Sequence, residues 1–189
     1  MKDMKAIKMV VIYLIVVWPI MLACFLSMMA GNISVSYNGF AIDSSDNLYI
    51  GKQTKIEKYY EGELIDTISP HSSRTYAFTI QDDEIILSNT SAVYTLDLDG
   101  NVISKHEDFD AKTYDSLQYK KEFTAANGKT YFLKSSFGRK QIVSENGDIL
   151  YKMPVKDYVA KLLLIAVGIF SFIYIPIAVY KTRKMGAFR

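Results

Sequence analysis

The run Asp97-Leu98-Asp99-Gly100-Asn101 contains the residue types that most resemble a metal site in this chain. Carboxylate and amide oxygens are the ligands that calcium prefers, and a glycine permits the sharp turn of a calcium loop. An EF-hand loop also needs an earlier acid, and that position holds Thr95. An Asp-Gly turn between two strands explains the same residues, and it is the interpretation that we favour.

The other side chains that could do chemistry are scattered. His71 and His106 have no cysteine or acid at ligand spacing, so no zinc site is predicted. Ser72 beside His71 is not a triad, because acyl transfer depends on spatial geometry and not on adjacency in sequence. An acidic run could hold a loosely bound cation, although a solvated connector is the favoured interpretation; its members are Glu107, Asp108, Asp110 and Asp115. We predict no catalytic residue, no cofactor and no metal, and we expect the chain not to be an enzyme.

The charge distribution separates the middle of the chain from its ends. Residues 31–157 hold 14 Lys and Arg against 19 Asp and Glu, a balance of −5, whereas the flanks together carry +7. A nucleic-acid partner is not expected, because binding to phosphates needs a basic face. Cys24 is the single cysteine of the chain, so no intrachain disulfide can form.

Two apolar runs without charged residues, 9–30 and 162–180, have the length of membrane spans. About 20 apolar residues in a helix cross the hydrocarbon core of a bilayer. Lysines precede the first run, and lysines and arginines follow the second, so the positive-inside rule predicts that both termini are cytoplasmic. The predicted order in the cytoplasmic membrane is a cytoplasmic tail at 1–8, transmembrane helices at 9–30 and 158–180, an outside domain at 31–157 and a cytoplasmic tail at 181–189.

The first span is expected to remain as an uncleaved signal anchor. Its apolar core of 22 residues exceeds the roughly 7–15 residues that are usual in a cleaved signal peptide. Ala23, Ser27 and Gly31 recur every four residues, and small residues at this spacing let another helix approach closely. Such spacing also arises by chance, and both interpretations stay open.

The outside domain is predicted to be all-β, because short alternating runs are separated by turn residues throughout it. The late turns of three successive rounds contain Gly62, Gly100 and Gly147. Four strands in every 40 or so residues is the period of a β-propeller blade. The predicted repeats cover about 37–68, 74–105 and 121–152.

Two stretches carry a resemblance to a known family. Residues 40–51, with the sequence FAIDSSDNLYIG, resemble the conserved run of NHL-like propeller blades, although Asp46 stands where that family usually has glycine. Residues 92–103 are similar to the outer hairpin of the same blade type. The resemblance implies antiparallel four-stranded blade-like repeats, in a partial β-propeller or a propeller-like meander. Because known propellers have four to eight blades, three repeats either pack into a different compact β-domain or form an arc that another chain completes, for example as a six-bladed ring of two chains.

The predicted function is binding to a partner and not catalysis. Ten of the 14 tyrosines lie in residues 31–157, and the adjacent Tyr59 and Tyr60 are a possible contact surface for a protein or a glycan. The leading hypothesis is a membrane-anchored extracytoplasmic binding or assembly module that acts as a sensor, scaffold or complex subunit, with other subunits or copies of itself as partners. The alternatives are an accessory subunit of a membrane transporter or export complex and an extracytoplasmic propeller-type hydrolase.

Overall fold

A computed structural model describes residues 2–71, 75–107, 110–117 and 121–186, with the side chains of residues 2–10, 12, 178–179 and 181–186 outside that description. The helices are α1 Lys2–Met29, α2 Ala111–Leu117 and α3 Val155–Gly186. The strands are β1 Phe40–Ile42, β2 Leu48–Gly51, β3 Ile56–Tyr60, β4 Glu63–Ile68, β5 Tyr76–Gln81, β6 Glu84–Asn89, β7 Val93–Leu96, β8 Val102–His106, β9 Glu122–Thr124, β10 Thr130–Ser136, β11 Arg139–Ser144 and β12 Ile149–Lys152.

Helices α1 and α3 belong to one compact unit, and residues 34–154 form the other. Within α3, the 23 residues Val155–Ile177 are long and apolar enough to cross a membrane by length and composition. Helix α1 contributes a shorter apolar stretch, Tyr13–Met29, and the predicted span at 9–30 includes side chains outside the description. In the described part of the chain, α3 is therefore the one helix that is long and apolar enough to cross a membrane.

The two long helices contact each other through aromatic side chains. The ring of Tyr13 stacks on Phe170, with centroids 5.9 Å apart, and on Tyr174, at 5.6 Å. The Tyr13 hydroxyl is also hydrogen-bonded to that of Ser171. Aromatic pairs with offset stacking add to the free energy of burial, so this cluster helps to hold α1 against α3.

The β-rich unit contains three four-stranded antiparallel sheets, which confirms the prediction of three blade-like repeats. Each sheet is a meander of consecutive strands: β1 to β4 form sheet 1, β5 to β8 form sheet 2, and β9 to β12 form sheet 3. In sheet 1, β1 and β2 are buried along their whole length, whereas five of the six residues of β4 are exposed. Continuous apolar sequence at β1 and β2 follows from burial on both faces of these strands.

Sheet 1 contacts both of the other sheets. The Tyr76 hydroxyl of sheet 2 donates to the backbone oxygens of Lys52 and Lys55, at 2.7 and 2.8 Å. On the side of sheet 3, the Phe40 and Phe123 rings lie 6.1 Å apart. In a ring formed by two chains, the three sheets of each chain would follow one another in order, and sheet 2 would lie between sheets 1 and 3. In this structure the first and third sheets pack directly against each other.

Helix α2 lies in the stretch for which the sequence predicts only an acidic connector. Asp110 caps its start, because the Asp110 carboxylate accepts hydrogen bonds from the backbone nitrogen of Lys112 at 3.0 Å and from the hydroxyl of Thr113 at 2.5 Å. The helix packs on β5 and β6 and buries Leu117. Asp108 lies outside the described residues.

Candidate functional site

The first hairpin turns of the three sheets converge on one cleft, which we call the inner-hairpin cleft. It has a volume of about 490 Å³ and is lined by all three sheets. Its lining residues are Ile42, Asp43 and Ser44 from sheet 1, Ile80, Gln81, Asp82 and Asp83 from sheet 2, and Phe123, Thr124, Ala125 and Ala126 from sheet 3. A cleft at the junction of several elements is the usual position of a ligand site.

Asp43 holds the shape of the first of these turns. One carboxylate oxygen accepts hydrogen bonds from the backbone nitrogens of Ser45 and Asn47, at 3.0 and 2.8 Å. The other accepts from the Asn47 amide at 2.8 Å and from the Tyr49 hydroxyl at 3.0 Å. Burial and the nearby Asp43 carboxylate raise the pKa of Tyr49, which therefore stays a hydrogen-bond donor. With four donors around it, Asp43 is a structural acid at 1% exposure.

The calcium-like run is built in the same way. The Asp97 carboxylate accepts hydrogen bonds from the backbone nitrogens of Asp99 and Asn101, at 3.0 and 2.8 Å, and from the Asn101 amide at 2.8 Å. These bonds hold the pKa of Asp97 below its usual range, and the hydrogen bonds from Asn101 contribute most to this lowering. The residues that resemble ion ligands are thus the donors and the acceptor of a hairpin turn.

Side chains link the three turns that form the cleft. Ser44 donates to Asp83 from its backbone nitrogen at 3.0 Å and from its hydroxyl at 2.6 Å, which joins sheets 1 and 2. The Asp46 carboxylate accepts from the Asn127 amide at 2.8 Å and lies 3.6 Å from the Lys129 ammonium, which joins sheets 1 and 3. The walls of the cleft are therefore held in place before any ligand arrives.

The cleft presents negative charge above an apolar floor. All of its charged lining residues are acids: Asp43, Asp82 and Asp83. Hydrogen bonds from Ser44 lower the pKa of Asp83, so this carboxylate is ionised at neutral pH. Asp82 makes no side-chain hydrogen bond or ion pair with any described residue, and its carboxylate is open to a ligand. Such a surface can bind a cation by ion pairing while the rings and alkyl groups beneath it contact an apolar moiety.

The cleft has no pair of nucleophile and base among its lining residues. Its lining hydroxyls are those of Ser44, which donates a hydrogen bond to Asp83, and Thr124, which is hydrogen-bonded to Thr130, and no imidazole is among the lining residues. His71 stacks instead on Tyr94, with ring centroids 5.8 Å apart, and His106 ends β8. In the described ranges no three His, Cys, Asp or Glu side chains converge in a way that could hold a metal ion.

A second polar cluster, which the sequence analysis missed, lies between sheets 1 and 3. The Lys52 ammonium is only 3% exposed and donates to the Tyr151 hydroxyl at 2.7 Å. Glu57 lies 3.7 Å from Lys52 and 3.0 Å from Lys55, and it accepts from the Tyr59 hydroxyl at 2.8 Å. Burial acts to raise the pKa of Glu57, but these three partners outweigh it and leave the pKa lowered. A polar residue in a strand gives no sequence signal that its side chain points inward.

The two tyrosines proposed as a contact surface differ in position. Tyr59 is half-buried, and its ring lies edge-on to Tyr151 with centroids 5.3 Å apart. Tyr60 ends β3 and is 47% exposed. Adjacent residues of a strand point to opposite faces of the sheet, so only Tyr60 presents its ring to solvent.

Gly62, Gly100 and Gly147 occupy the outer hairpins that link β3 to β4, β7 to β8 and β11 to β12. Each has a positive φ, at 85°, 87° and 92° respectively, which glycine adopts at little cost. Their surroundings differ. A Cβ at Gly100 would lie 2.6 Å from Ile68 of the neighbouring sheet, whereas no heavy atom lies within 4 Å of such a Cβ at Gly62 or Gly147.

The small residues predicted as a helix-packing face have unequal roles. Ala23 is exposed on α1, and Ser27 is half-buried. Gly31 follows the last helical residue with a φ of 71°. Its nitrogen donates to the Met28 oxygen at 3.1 Å, while that of Asn32 donates to the Ser27 oxygen at 3.0 Å. This bonding is a Schellman motif, so Gly31 ends the helix.

Comparisons with known proteins give fold-level similarities of low score. No protein-family model matches the sequence, and no curated protein matches it significantly. Among solved structures, a protein of unknown function from Bacteroides caccae is 13% identical, with a TM-score of 0.33 and coverage of 62% of this chain and 45% of that chain.

Two lyases are similar at the same level. A virginiamycin B lyase from Staphylococcus aureus is 14% identical, with a TM-score of 0.33 and coverage of 62% of this chain and 41% of that one. A streptogramin B lyase is 14% identical, with a TM-score of 0.36 and coverage of 61% and 40%. The chain spans less than half the length of each of these structures. The three-sheet architecture therefore rests on the strand pairing and burial described above.

Proposed function

We propose that this chain is a membrane-anchored binding module. Helices α1 and α3 cross the cytoplasmic membrane with both termini in the cytoplasm, and residues 31–157 lie outside. The inner-hairpin cleft binds a ligand that carries a positive charge next to an apolar group. The module acts by binding and not by catalysis.

The observation that carries this proposal is the composition of the cleft. Three sheets each contribute one turn, and every charged residue of the lining is an acid. The links from Ser44 to Asp83 and from Asp46 to Asn127 fix the turns in advance, so little conformational entropy is lost on binding. The apolar side chains of Ile42, Ile80 and Phe123 favour a ligand with an aliphatic or aromatic part.

A charge-neutralising substitution tests the binding site. The full chain in lipid nanodiscs is titrated with the peptide Lys-Phe-Lys, and binding is followed by calorimetry. Asp82→Asn removes the open carboxylate, and we expect the affinity to fall about 2- to 5-fold, as for loss of one exposed ion pair. Asp148→Asn removes the same charge from an exposed turn of sheet 3 outside the cleft and is the matched control. Equal losses in both variants would show non-specific attraction and contradict the proposed site.

Reporter fusions test the anchor separately. A fluorescent protein that matures only in the cytoplasm, fused to either terminus, is expected to be active, and a periplasmic phosphatase fused at either end is expected to be inactive. The opposite pattern at either end would refute the proposed topology. The titration tests the cleft and its ligand independently of the topology.

An accessory subunit of a larger membrane complex is the second candidate, and the outer strands favour it. In β4, Leu64 and Ile65 are 50% and 53% exposed, and in β8 Val102 and Ile103 are 47% and 55% exposed. Strands at the edge of a sheet present backbone groups and apolar side chains to which another chain can add. Purification of the detergent-solubilised chain with stoichiometric partner subunits would support this function over a self-contained module.

A further inference from the structure

The turn between β10 and β11 carries an aromatic side chain that the fold of its own sheet does not explain. Phe137 is 97% exposed and has a φ of 49°, and Gly138 follows with a φ of 81°. Positive φ at both central residues defines a two-residue hairpin of type I′, for which Asn-Gly and Asp-Gly are preferred. A bulky side chain with positive φ is uncommon and strained. Neither burial nor turn geometry therefore accounts for a phenylalanine here.

The half of sheet 3 that ends in this turn is basic. Ser136 pairs with Arg139 across the hairpin, and Gln141 pairs with both Lys134 and Lys152. Side chains of paired residues share a face, so Lys134 and Lys152 lie on the same face of the sheet, on either side of Gln141 and about 10 Å apart. The basic residues of this half are Lys121, Lys134, Arg139, Lys140 and Lys152, whereas Glu145 and Asp148 flank the turn at the opposite end and Glu122 lies mid-sheet opposite Phe132.

This basic half is also the part of the sheet from which the chain continues into α3. The Arg139 side-chain nitrogen Nε donates to the backbone oxygen of Met153 at 2.7 Å, and the Met153 nitrogen donates to the backbone oxygen of Lys140 at 2.9 Å. Only Pro154 separates Met153 from Val155, where α3 begins. Two residues of chain span about 7 Å at most. The aromatic turn thus lies at the end of sheet 3 from which the chain continues to residue 155.

We propose that this turn docks on the anionic surface of the membrane that α3 crosses. The Phe137 ring enters the interfacial layer, where aromatic side chains are favoured at the level of the headgroups. Lys134, Arg139 and Lys152 attract the phosphates of acidic phospholipids in the outer leaflet by charge, and salt screens this attraction over about 10 Å at 0.1 M. The contact steadies the three-sheet domain on the bilayer. This inference rests on the membrane anchor of the proposed function.

A single-tryptophan reporter tests the docking. Trp18 is the one tryptophan of the chain, so the Trp18→Phe variant has no tryptophan fluorescence of its own. In this background Phe137→Trp is placed in nanodiscs whose lipids are phosphatidylcholine alone or a mixture with phosphatidylglycerol. Lipids brominated near the headgroup quench an indole that enters the interface. We expect several-fold stronger quenching in the discs with phosphatidylglycerol, and a decrease of this difference at 0.5 M salt.

The matched control uses the opposite end of the same strand. Asn146→Trp, in the Trp18→Phe background, lies beyond Ser144, and the six residues of β11 separate the two turns by about 20 Å. This reporter is expected to remain unquenched in both lipids. The charge variant Lys134→Glu with Lys152→Glu, added to the Phe137→Trp reporter, should abolish the preference for phosphatidylglycerol.

Each outcome bears on one claim. Equal quenching of the two reporters, or of the Phe137→Trp reporter in both lipids, overturns docking on an acidic surface. A blue shift of that reporter without quenching by brominated lipid would indicate contact with protein and would also overturn it. Incorporation into nanodiscs is scored separately by co-elution with lipid. A chain that fails to co-elute contradicts the anchor, whereas a chain that co-elutes with an unquenched reporter contradicts the docking alone.

Discussion

At the scale of single residues, buried carboxylates serve this fold in two ways. Asp43 is 1% exposed and accepts four hydrogen bonds within one turn. Glu57 compensates a buried lysine between two sheets. Both acids are costly to desolvate and are tolerated because donors or cations surround them. Their sequence neighbours give no indication of this difference in role.

Asp43→Asn is expected to destabilise the domain by about 3 kcal/mol, because an amide group then faces donors where an acceptor oxygen stood. The measurement is the thermal unfolding of the full chain in detergent micelles. Asp97→Asn is the matched control, since it changes the same turn pattern at an exposed position, and its effect should be clearly smaller. Equal effects would mean that burial does not set the importance of Asp43.

Glu57→Gln is expected to reduce the acid sensitivity of the domain. The folded pKa of Glu57 lies below its ordinary value of 4.5, so its stabilising contribution is complete above that pH and disappears as the pH falls through the lowered value. The unfolding midpoint of the natural protein should therefore fall more steeply below pH 4.5 than that of the variant. At neutral pH the variant should be less stable by about 1–2 kcal/mol, since the negative charge of Glu57 near Lys52 and Lys55 is removed. Parallel pH curves would contradict this assignment.

At the scale of elements, three hairpin glycines that look equivalent in sequence differ in what surrounds them. Gly147 has a positive φ and open space, whereas Gly100 has a positive φ and lies against Ile68. The outer hairpin of sheet 2 thus packs on sheet 1 at a point where a side chain cannot be accommodated. Sheet-to-sheet packing, and not turn chemistry alone, requires glycine at that position.

Gly100→Ala is expected to cost about 2–3 kcal/mol, the strain of a positive φ together with overpacking against Ile68. Gly147→Ala should cost about 1 kcal/mol, because only the backbone strain applies there. Chemical denaturation of both variants measures the difference. Adding Ile68→Ala should recover part of the loss in the Gly100→Ala chain and none in the Gly147→Ala chain. An additive result in the first pair would rule out the steric explanation.

At the scale of the whole molecule, contact between the first and third sheets is the feature that separates this β-rich unit from an open arc. Phe40 packs on Phe123, Lys52 reaches Tyr151, and Asp46 binds Asn127 and Lys129. A ring formed from two chains would need these surfaces for the sheets of the partner. In this structure the facing surfaces of sheets 1 and 3 are already occupied by contacts within one chain.

Cross-linking measures whether the contact is made within one chain in the membrane. Asp46→Cys and Asn127→Cys are introduced together in a Cys24→Ser background and treated with a short bismaleimide. We expect a cross-linked product with the mass of a single chain, because these side chains are hydrogen-bonded in one chain. Asp46→Cys alone is the control for random collisions. A predominant two-chain product would instead support exchange of sheets between copies.

The sequence by itself determined the number of sheets and the places of their turns. Alternating apolar residues and turn residues such as Asp-Gly and Asn-Gly are local signals, and they predicted three rounds of four strands. Local pattern also predicted that the Asp97 run is the turn of a hairpin, which the pairing of β7 with β8 confirms. The helix α2 escaped prediction because its capping residue, Asp110, stands in an acidic run that is typical of a solvated loop.

Only the tertiary structure decided which turns meet and which polar side chains are buried. The inner-hairpin cleft combines residues as far apart as Ile42 and Ala126, and the cluster around Lys52 includes Tyr151. Such partners are chosen by the packing of one sheet on another, and a period-two pattern records only which face is apolar, not what lies against it. For the same reason the exposure of Phe137 and the exclusion of side chains at Gly100 could be read only from the folded chain.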